Sequence, residues 1–368
     1  MPTQESVLEA LKAVIDPDLH RDIVTLGFVK EVRIEGADVY ALVQLTTPAC
    51  PVKEELQAQC VEAIQGVEGV RKVTVEMTAE VRQRHEQELV PEVKHVIAVA
   101  SGKGGVGKST VTVNLAVALA AAGAKVGIMD ADVYGPSIPM MVGAEHERPN
   151  VTGSKILPIL RHGVSVMSLG FLMEEGQAVM WRGPMVAGTV RQLLADVDWG
   201  DLDYLLVDLP PGTGDAPMSL AQLVPLTGVV IVATPHNVAA NIAGKSVALF
   251  RRLNSPVLGV VENMAEMTLP NGETLRIFAG LSGEKLAAQL KVPYLGSIPL
   301  DPEVSACGDA GTPAVLAHPD SPQAQAFRSI AGKLAQQASI LSLTRTDLTQ
   351  MGEAAERPRF EPVKPLNR

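Results

Sequence analysis

A chain of 368 residues with 46% hydrophobic and 20% charged side chains has ordinary globular composition, which excludes an intrinsically disordered protein and leaves room for one large α/β domain plus a smaller one. The formal net charge of −10 argues against a protein that coats nucleic acid or an anionic membrane, because both tasks need a basic surface. Cys50, Cys60 and Cys307 are too few and too scattered for a disulfide framework; with no basic-then-apolar leader and no run near the roughly 18 apolar residues of a membrane span, a cytoplasmic protein is expected.

In chain order, Val7, Leu8, Leu11, Val14 and Ile15 fall at helical spacing, and residues 27–46 alternate as two strands around Glu35-Gly36-Ala37-Asp38. A second helix near 51–65 and a strand over 70–77 complete an αββαβ unit, so residues 1–80 are expected to form a small α+β domain. The polar run that follows reads as a linker over 81–93. From Val93 the pattern changes. Apolar strands at 96–100, 125–129, 204–207, 229–233 and 257–261 alternate with helices, the first at 107–122. That is the grammar of a mostly parallel sheet flanked by helices, assigned to 94–340. Residues 341–368, ending in a proline-rich charged stretch, are expected to be a mostly flexible tail.

The first strand of this larger unit runs straight into Gly102-Lys103-Gly104-Gly105-Val106-Gly107-Lys108-Ser109-Thr110, and a small-residue helix follows. Strand, glycine-rich turn and helix form the setting a phosphate-binding loop requires: glycines let backbone N–H groups curl around phosphate oxygens at a helix N-terminus. Lys108 is then placed to reach the β- and γ-phosphates of ATP and Ser109 to ligate Mg²⁺. Asp130 and Asp132 follow one strand and Asp208 another, which brings three carboxylates toward one edge of the sheet. Asp208 reads as a magnesium ligand through water, Asp130 as support for the same magnesium shell, and Asp132 as the group that orients the attacking water. The other common use of an aspartate after a strand is a helix N-cap.

Lys103, directly after the first glycine, resembles the second lysine of the deviant Walker A family, which includes the MinD and ParA ATPases, the nitrogenase iron protein and the Mrp-type cluster carriers. The resemblance implies a P-loop NTPase fold and an ATP-sandwich homodimer in which Lys103 crosses to the partner's nucleotide and joins Lys108 and Asp132 in hydrolysis. Asp130-Ala131-Asp132-Val133-Tyr134-Gly135-Pro136-Ser137, Trp181-Arg182-Gly183-Pro184-Met185, the 208–215 stretch and Val261-Glu262-Asn263-Met264 resemble the Mrp or ApbC branch. Membership in that branch implies a slow ATPase that carries an iron–sulfur cluster to apo-proteins, together with assembly factors. It also implies that Asn263 and residues around Pro299 line the adenine; without the family Asn263 reads equally as a turn asparagine.

At the front of the chain, Asp16-Pro17-Asp18-Leu19, Ile23-Val24-Thr25-Leu26-Gly27-Phe28 and Leu45-Thr46-Thr47-Pro48-Ala49-Cys50-Pro51 resemble the small domain of iron–sulfur assembly factors. That makes Cys50 a candidate cluster ligand or nucleophile, whereas a lone cysteine read alone is more often a packing residue. Cys60 and Cys307 read as structural. Many carriers place a Cys-x-x-Cys pair after the Glu-Asn-Met segment to hold a 4Fe-4S cluster across the dimer. This chain has Ala265-Glu266-Met267-Thr268-Leu269-Pro270-Asn271-Gly272 instead. Two other readings therefore stay open: a MinD/ParA-like positioning ATPase, disfavoured by the proline-broken C-terminus, and an ATP-regulated protein-binding module that has lost its cluster. In residues 234–241, where relatives tend to carry aspartate at the Asn237 or Asn241 positions, His236 could join the switch but reads rather as an exposed loop histidine.

Overall fold

A computed structural model describes residues 2–17, 19–81, 89–132, 135–173, 183–212, 221–269 and 271–355. The small domain opens with a helix, Gln4–Leu11, whose first turn is closed by Thr3 and Ser6 exchanging hydrogen bonds. Val7 and Leu11 lie on its buried face. A two-stranded element, Ile15–Asp16 with Arg21–Asp22, precedes the antiparallel pair Val29–Glu35 and Asp38–Leu45. The Lys53–Gln65 helix then crosses to Lys72–Ala79, which pairs parallel with Asp38–Leu45. The αββαβ order is therefore as expected. Strict alternation in Asp38–Leu45 buries Val39, Ala41, Val43 and Leu45 against Leu56, Cys60 and Ile64 of the helix, forming a separate core.

The larger domain is built on an eight-stranded sheet. Its strands lie in the order Ile159–Arg161, Val164–Ser168, Val126–Asp130, Leu202–Asp208, Val93–Ser101, Gly228–Ala233, Val257–Asn263 and Tyr294–Ile298. Only the first pair is antiparallel. Val126–Asp130, Leu202–Asp208 and Gly228–Ala233 are buried at every residue, as continuous apolar runs covered on both faces must be. The sequence reading finds the five central strands but not the three at the edges, where Val164–Ser168 and Tyr294–Ile298 are short and partly polar. The Lys108–Ala121 helix is buried over nearly its whole length because it packs between the sheet and the helix Pro322–Ala355. That last helix runs past residue 341, where the sequence suggests a flexible tail. Ala324, Phe327, Ile330, Ala331, Leu334, Ala335 and Ala338 give it a continuous apolar face, and this holds its first half against the domain. Residues 356–368 and linker residues 82–88 lie outside the described residues.

The two domains touch. Tyr204, within the sheet, donates its hydroxyl proton to Thr47 Oγ1 at 3.1 Å, and Ala49 packs against the core of the larger domain. Among the described residues no helix is long and apolar enough to cross a membrane.

Candidate nucleotide-binding site

The Val93–Ser101 strand lies at the centre of the sheet and delivers the glycine loop to its C-terminal edge. Gly105 and Gly107 adopt left-handed backbone conformations, with φ of 75° and 78°, which an L side chain adopts only at a cost. Space excludes side chains as well. A Cβ on Gly102 would lie 2.4 Å from Ile242 Cγ2, and one on Gly107 would lie 2.3 Å from Asn263 Nδ2. At Gly105 no described residue stands within 4 Å of such a Cβ. Gly107 caps the Lys108–Ala121 helix, and the helix's first N–H groups point into the loop, where an anion is favoured. Gly104 is exposed and Thr110 half-buried. The Thr110 carbonyl accepts from Asn114 Nδ2 at 2.9 Å.

Asp208 is the hub. Its side chain is fully buried at the end of Leu202–Asp208, and three donors converge on it. Lys108 Nζ lies 2.6 Å from Oδ2, Ser109 Oγ donates to the same oxygen at 2.6 Å, and Thr112 Oγ1 lies 2.8 Å from Oδ1. A buried carboxylate is tolerable only when paired and hydrogen-bonded in this way. Asp132 Oδ2 stands 3.8 Å from Lys108 Nζ, so this one ammonium faces two carboxylates. Asp130 is buried beside them. Its carboxylate accepts from Ser168 Oγ at 3.0 Å and from the backbone N–H groups of Asp132, at 3.1 Å, and Ile138, at 3.4 Å. Burial, with the negative charge of Asp208 adding to it, pushes the Asp130 carboxyl up to about 7 against the pull of Lys108.

The structure thus brings Lys108, Ser109, Asp130, Asp132 and Asp208 together, as the sequence reading expects. Lys103 stands apart from that cluster, half-buried at the start of the loop, its carbonyl accepting from Ser101 Oγ at 3.0 Å. Asn263 is no turn residue. It ends the Val257–Asn263 strand, is buried, and donates from Nδ2 to the Val106 carbonyl at 2.8 Å, bracing the glycine loop. Pro299 follows the neighbouring strand, and the two strand ends are tied by Ala265 N–H to Ile298 O and Leu300 N–H to Glu266 O. Thr112 and Ser168 are absent from the sequence reading. Thr112 could have been found as the next polar residue on the face of Lys108 and Ser109, one turn on. Ser168 ends a strand the sequence does not reveal.

The oxygen donors Ser109, Asp130, Asp132 and Asp208 suit a hard cation such as Mg²⁺. Among the described residues no three His, Cys, Asp or Glu side chains form a ready metal cage. A magnesium ion held chiefly by Ser109 and phosphate oxygens needs none. The cysteines lie elsewhere. Cys60 is buried in the small domain's core, where burial pushes its thiol up to about 11, and Cys307 is buried and raised for the same reason. Cys50 is half-buried in the loop facing the larger domain. Where a Cys-x-x-Cys would be expected there is a hairpin, Met267–Thr268 with Thr274–Leu275; Pro270 lies outside the described residues. His236 is exposed as expected and meets Phe278 edge-on at 6.4 Å. Val133, Tyr134, Trp181, Arg182 and the 213–215 part of the switch segment also lie outside the described residues.

Comparison with known proteins decides the branch. Residues 92–335 match the model of the NUBPL iron-transfer P-loop NTPase family. An iron–sulfur cluster carrier protein of Deinococcus radiodurans is 49% identical over 342 residues, which span 92% of this chain and 97% of that protein. This chain belongs to the Mrp-type iron–sulfur cluster carrier family. Residues 4–77 match the iron–sulfur cluster assembly protein family, which accounts for the small domain of this Mrp-type chain. A carrier protein of Synechocystis is 43% identical over 93% of this chain and all of its own length. Among solved structures, a nucleotide-binding protein from Archaeoglobus fulgidus in complex with ADP covers 62% of this chain and 92% of its own length, with a TM-score of 0.55 and 41% identity. The septum-site protein MinD of Pyrococcus horikoshii, complexed with Mg-ADP, covers 67% of this chain at 25% identity and a TM-score of 0.51. The Mrp-type chain therefore shares the P-loop architecture with the positioning ATPases while its family is that of the carriers.

Proposed function

We propose that this protein binds ATP with Mg²⁺, hydrolyses it slowly as a homodimer, and uses the cycle to hold an iron–sulfur cluster and pass it to apo-proteins. The observation that carries the reading is the convergence of Lys108, Ser109 and Thr112 on Asp208 beside the glycine loop, in a chain half identical to a carrier protein along nearly its whole length.

Each residue's part follows from its place. Backbone N–H groups of 104–109 take up the phosphate charge at the helix end, and Lys108 turns its ammonium from Asp208 toward the β- and γ-oxygens. Ser109 and, through water, Asp208 and Asp130 hold Mg²⁺, which when bound neutralises developing charge on the leaving phosphate. Thr112 keeps Asp208 aimed while its two other donors are drawn away to the nucleotide. Asp132, with 13% of its side chain exposed, is placed to orient a water for in-line attack on the γ-phosphate. Lys103 of one subunit would reach the nucleotide of the other, so charge stabilisation would be complete only in the closed dimer. Asn263, by fixing Val106, sets the edge of the loop next to which the base would sit, with Pro299 on the adjoining strand end.

The cargo reading has one direct test. Anaerobic reconstitution with iron and sulfide, followed by iron per dimer and visible absorption, is expected to show a cluster on the wild type that is lost in Cys50→Ala. A chain that binds ATP but takes up no cluster would favour the second reading, an ATP-regulated module without cluster chemistry. The observation behind that alternative is the hairpin that stands where a cysteine pair would bridge two subunits.

A further inference from the structure

The loop at residues 46–51 carries the one cysteine that is not buried, and it is seated in the larger domain. Thr47 is only 3% exposed although it lies at the small domain's edge, because Tyr204 covers it and donates to it. Tyr204 is itself buried and stacks on His95 at 5.6 Å. Pro48 lies near Gly123, just past the end of the Lys108–Ala121 helix: a Cβ there would stand 4.0 Å from Pro48 Cβ. On the other side the Pro322–Ala355 helix comes so close at Gly332 that a Cβ there would lie 2.9 Å from the Ala49 carbonyl oxygen and 3.7 Å from Pro51. Between loop and helix, Cys50 and Phe28 face Gln336, Ser339 and Leu343 across a cleft of about 20 Å³. That is room for about one water. Neither a cluster nor another protein's thiol can enter it.

We propose that the small domain is latched onto the ATPase domain at Tyr204 and Gly332, and that undocking of this latch is what uncovers the Cys50 thiol. The interface suits a reversible latch: small residues and prolines meet around Gly332, and the Tyr204–Thr47 hydrogen bond joins two neutral hydroxyls. Contacts of this kind between domains allow relative motion. The latch goes beyond the carrier reading and would stand if Cys50 bound no cluster.

The test is the rate at which iodoacetamide labels Cys50 in the full chain, followed by peptide mass spectrometry, with Cys60 and Cys307 as buried references. In the wild type, labelling is expected at least tenfold slower than in the urea-unfolded chain. Gly332→Leu, which drives a side chain into the Ala49 carbonyl, is expected to speed it at least tenfold while ADP affinity holds. Tyr204→Phe is expected to speed it severalfold. Should Gly332→Leu fail to fold, Gly332→Ala serves: alanine is the better helix former, so loosening could not be charged to the helix. Wild-type labelling as fast as in urea, or unchanged labelling in folded Gly332 and Tyr204 variants, would overturn the proposal. Because the readout uses neither iron nor hydrolysis, its failure is separable from failure of the carrier function.

Discussion

The two ends of the Lys108–Ala121 helix, 14 residues and therefore about 21 Å apart, are built on opposite principles. At the N-terminal end, charge does the work: one ammonium stands among three carboxylates, and the hydroxyls of Ser109, Thr112 and Ser168 donate to them. At the C-terminal end the Cys50 loop is held by shape, through a glycine that lets two backbones meet, and by a neutral hydrogen bond. The contrast teaches where sensitivity lies. A charge cluster fails when its cation or a donor is removed, since a buried carboxylate left unpaired is costly. A shape-based contact fails by degrees.

Predictions follow that contrast from its strongest side. Lys108→Ala removes the cation paired with Asp208 and is expected to raise the Kd for ATP more than about 100-fold, a loss near 3 kcal/mol, by titration calorimetry. A change under tenfold would mean that the backbone cradle alone holds the phosphates. Lys103→Ala, outside the cluster, should leave ATP affinity within about twofold and abolish hydrolysis; equal turnover by variant and wild type would refute the dimer-sandwich mechanism.

Thr112→Val leaves Asp208 short of one donor at a buried charged group, so urea unfolding should show a loss of about 2 kcal/mol. A cost below about 0.5 kcal/mol would show that Lys108 and Ser109 satisfy Asp208 unaided. At the other end, Tyr204→Phe should cost only about 1 kcal/mol, the worth of a neutral hydrogen bond. A larger loss would mean that the latch is part of the fold's core rather than a reversible contact.

A further effect is one of pH. The Asp130 carboxyl is raised from its ordinary 3.8 to about 7, so between those values the folded chain keeps a proton that the unfolded chain has released. Stability therefore falls as pH rises through that window, and the penalty is complete above it. Asp130→Asn carries no such penalty. In buffer free of metal and nucleotide, the Tm of the variant minus that of the wild type should increase from pH 5 to pH 8, and a flat difference would show that Asp130 is charged throughout.

The legible parts of the site share a cause. Gly102, Gly105, Gly107, Lys108 and Ser109 act through backbone shape and side chains local to one turn, so their spacing alone reveals them. Asp130 and Asp208 could be read because strand ends in a parallel sheet converge on one edge. Thr112 was within reach, one helical turn beyond Ser109, but a threonine inside an alanine-rich helix looks like filler until its partner is known. Ser168 and Ile242 were not. Each matters through a contact with a residue far away in sequence, Asp130 and Gly102 respectively. The same holds for the end of the chain, where the sparse charge and small residues of 322–340 are an apolar face only once the helix 108–121 is there to cover.

By itself the sequence determined the local devices of this protein: the αββαβ unit, the buried parallel strands, the glycine loop with its two lysines, and the strand-end aspartates. Periodicity and the conformational freedom of glycine are properties of short stretches, and they survive without knowledge of the rest. Only the tertiary structure decided that Asn263 braces the loop, that Thr112 holds Asp208, and that Cys50 faces the last helix across a cleft too narrow for any cargo. Those facts depend on surfaces meeting across 96 residues of chain or more, and no pattern within one segment encodes what the opposite surface will bring.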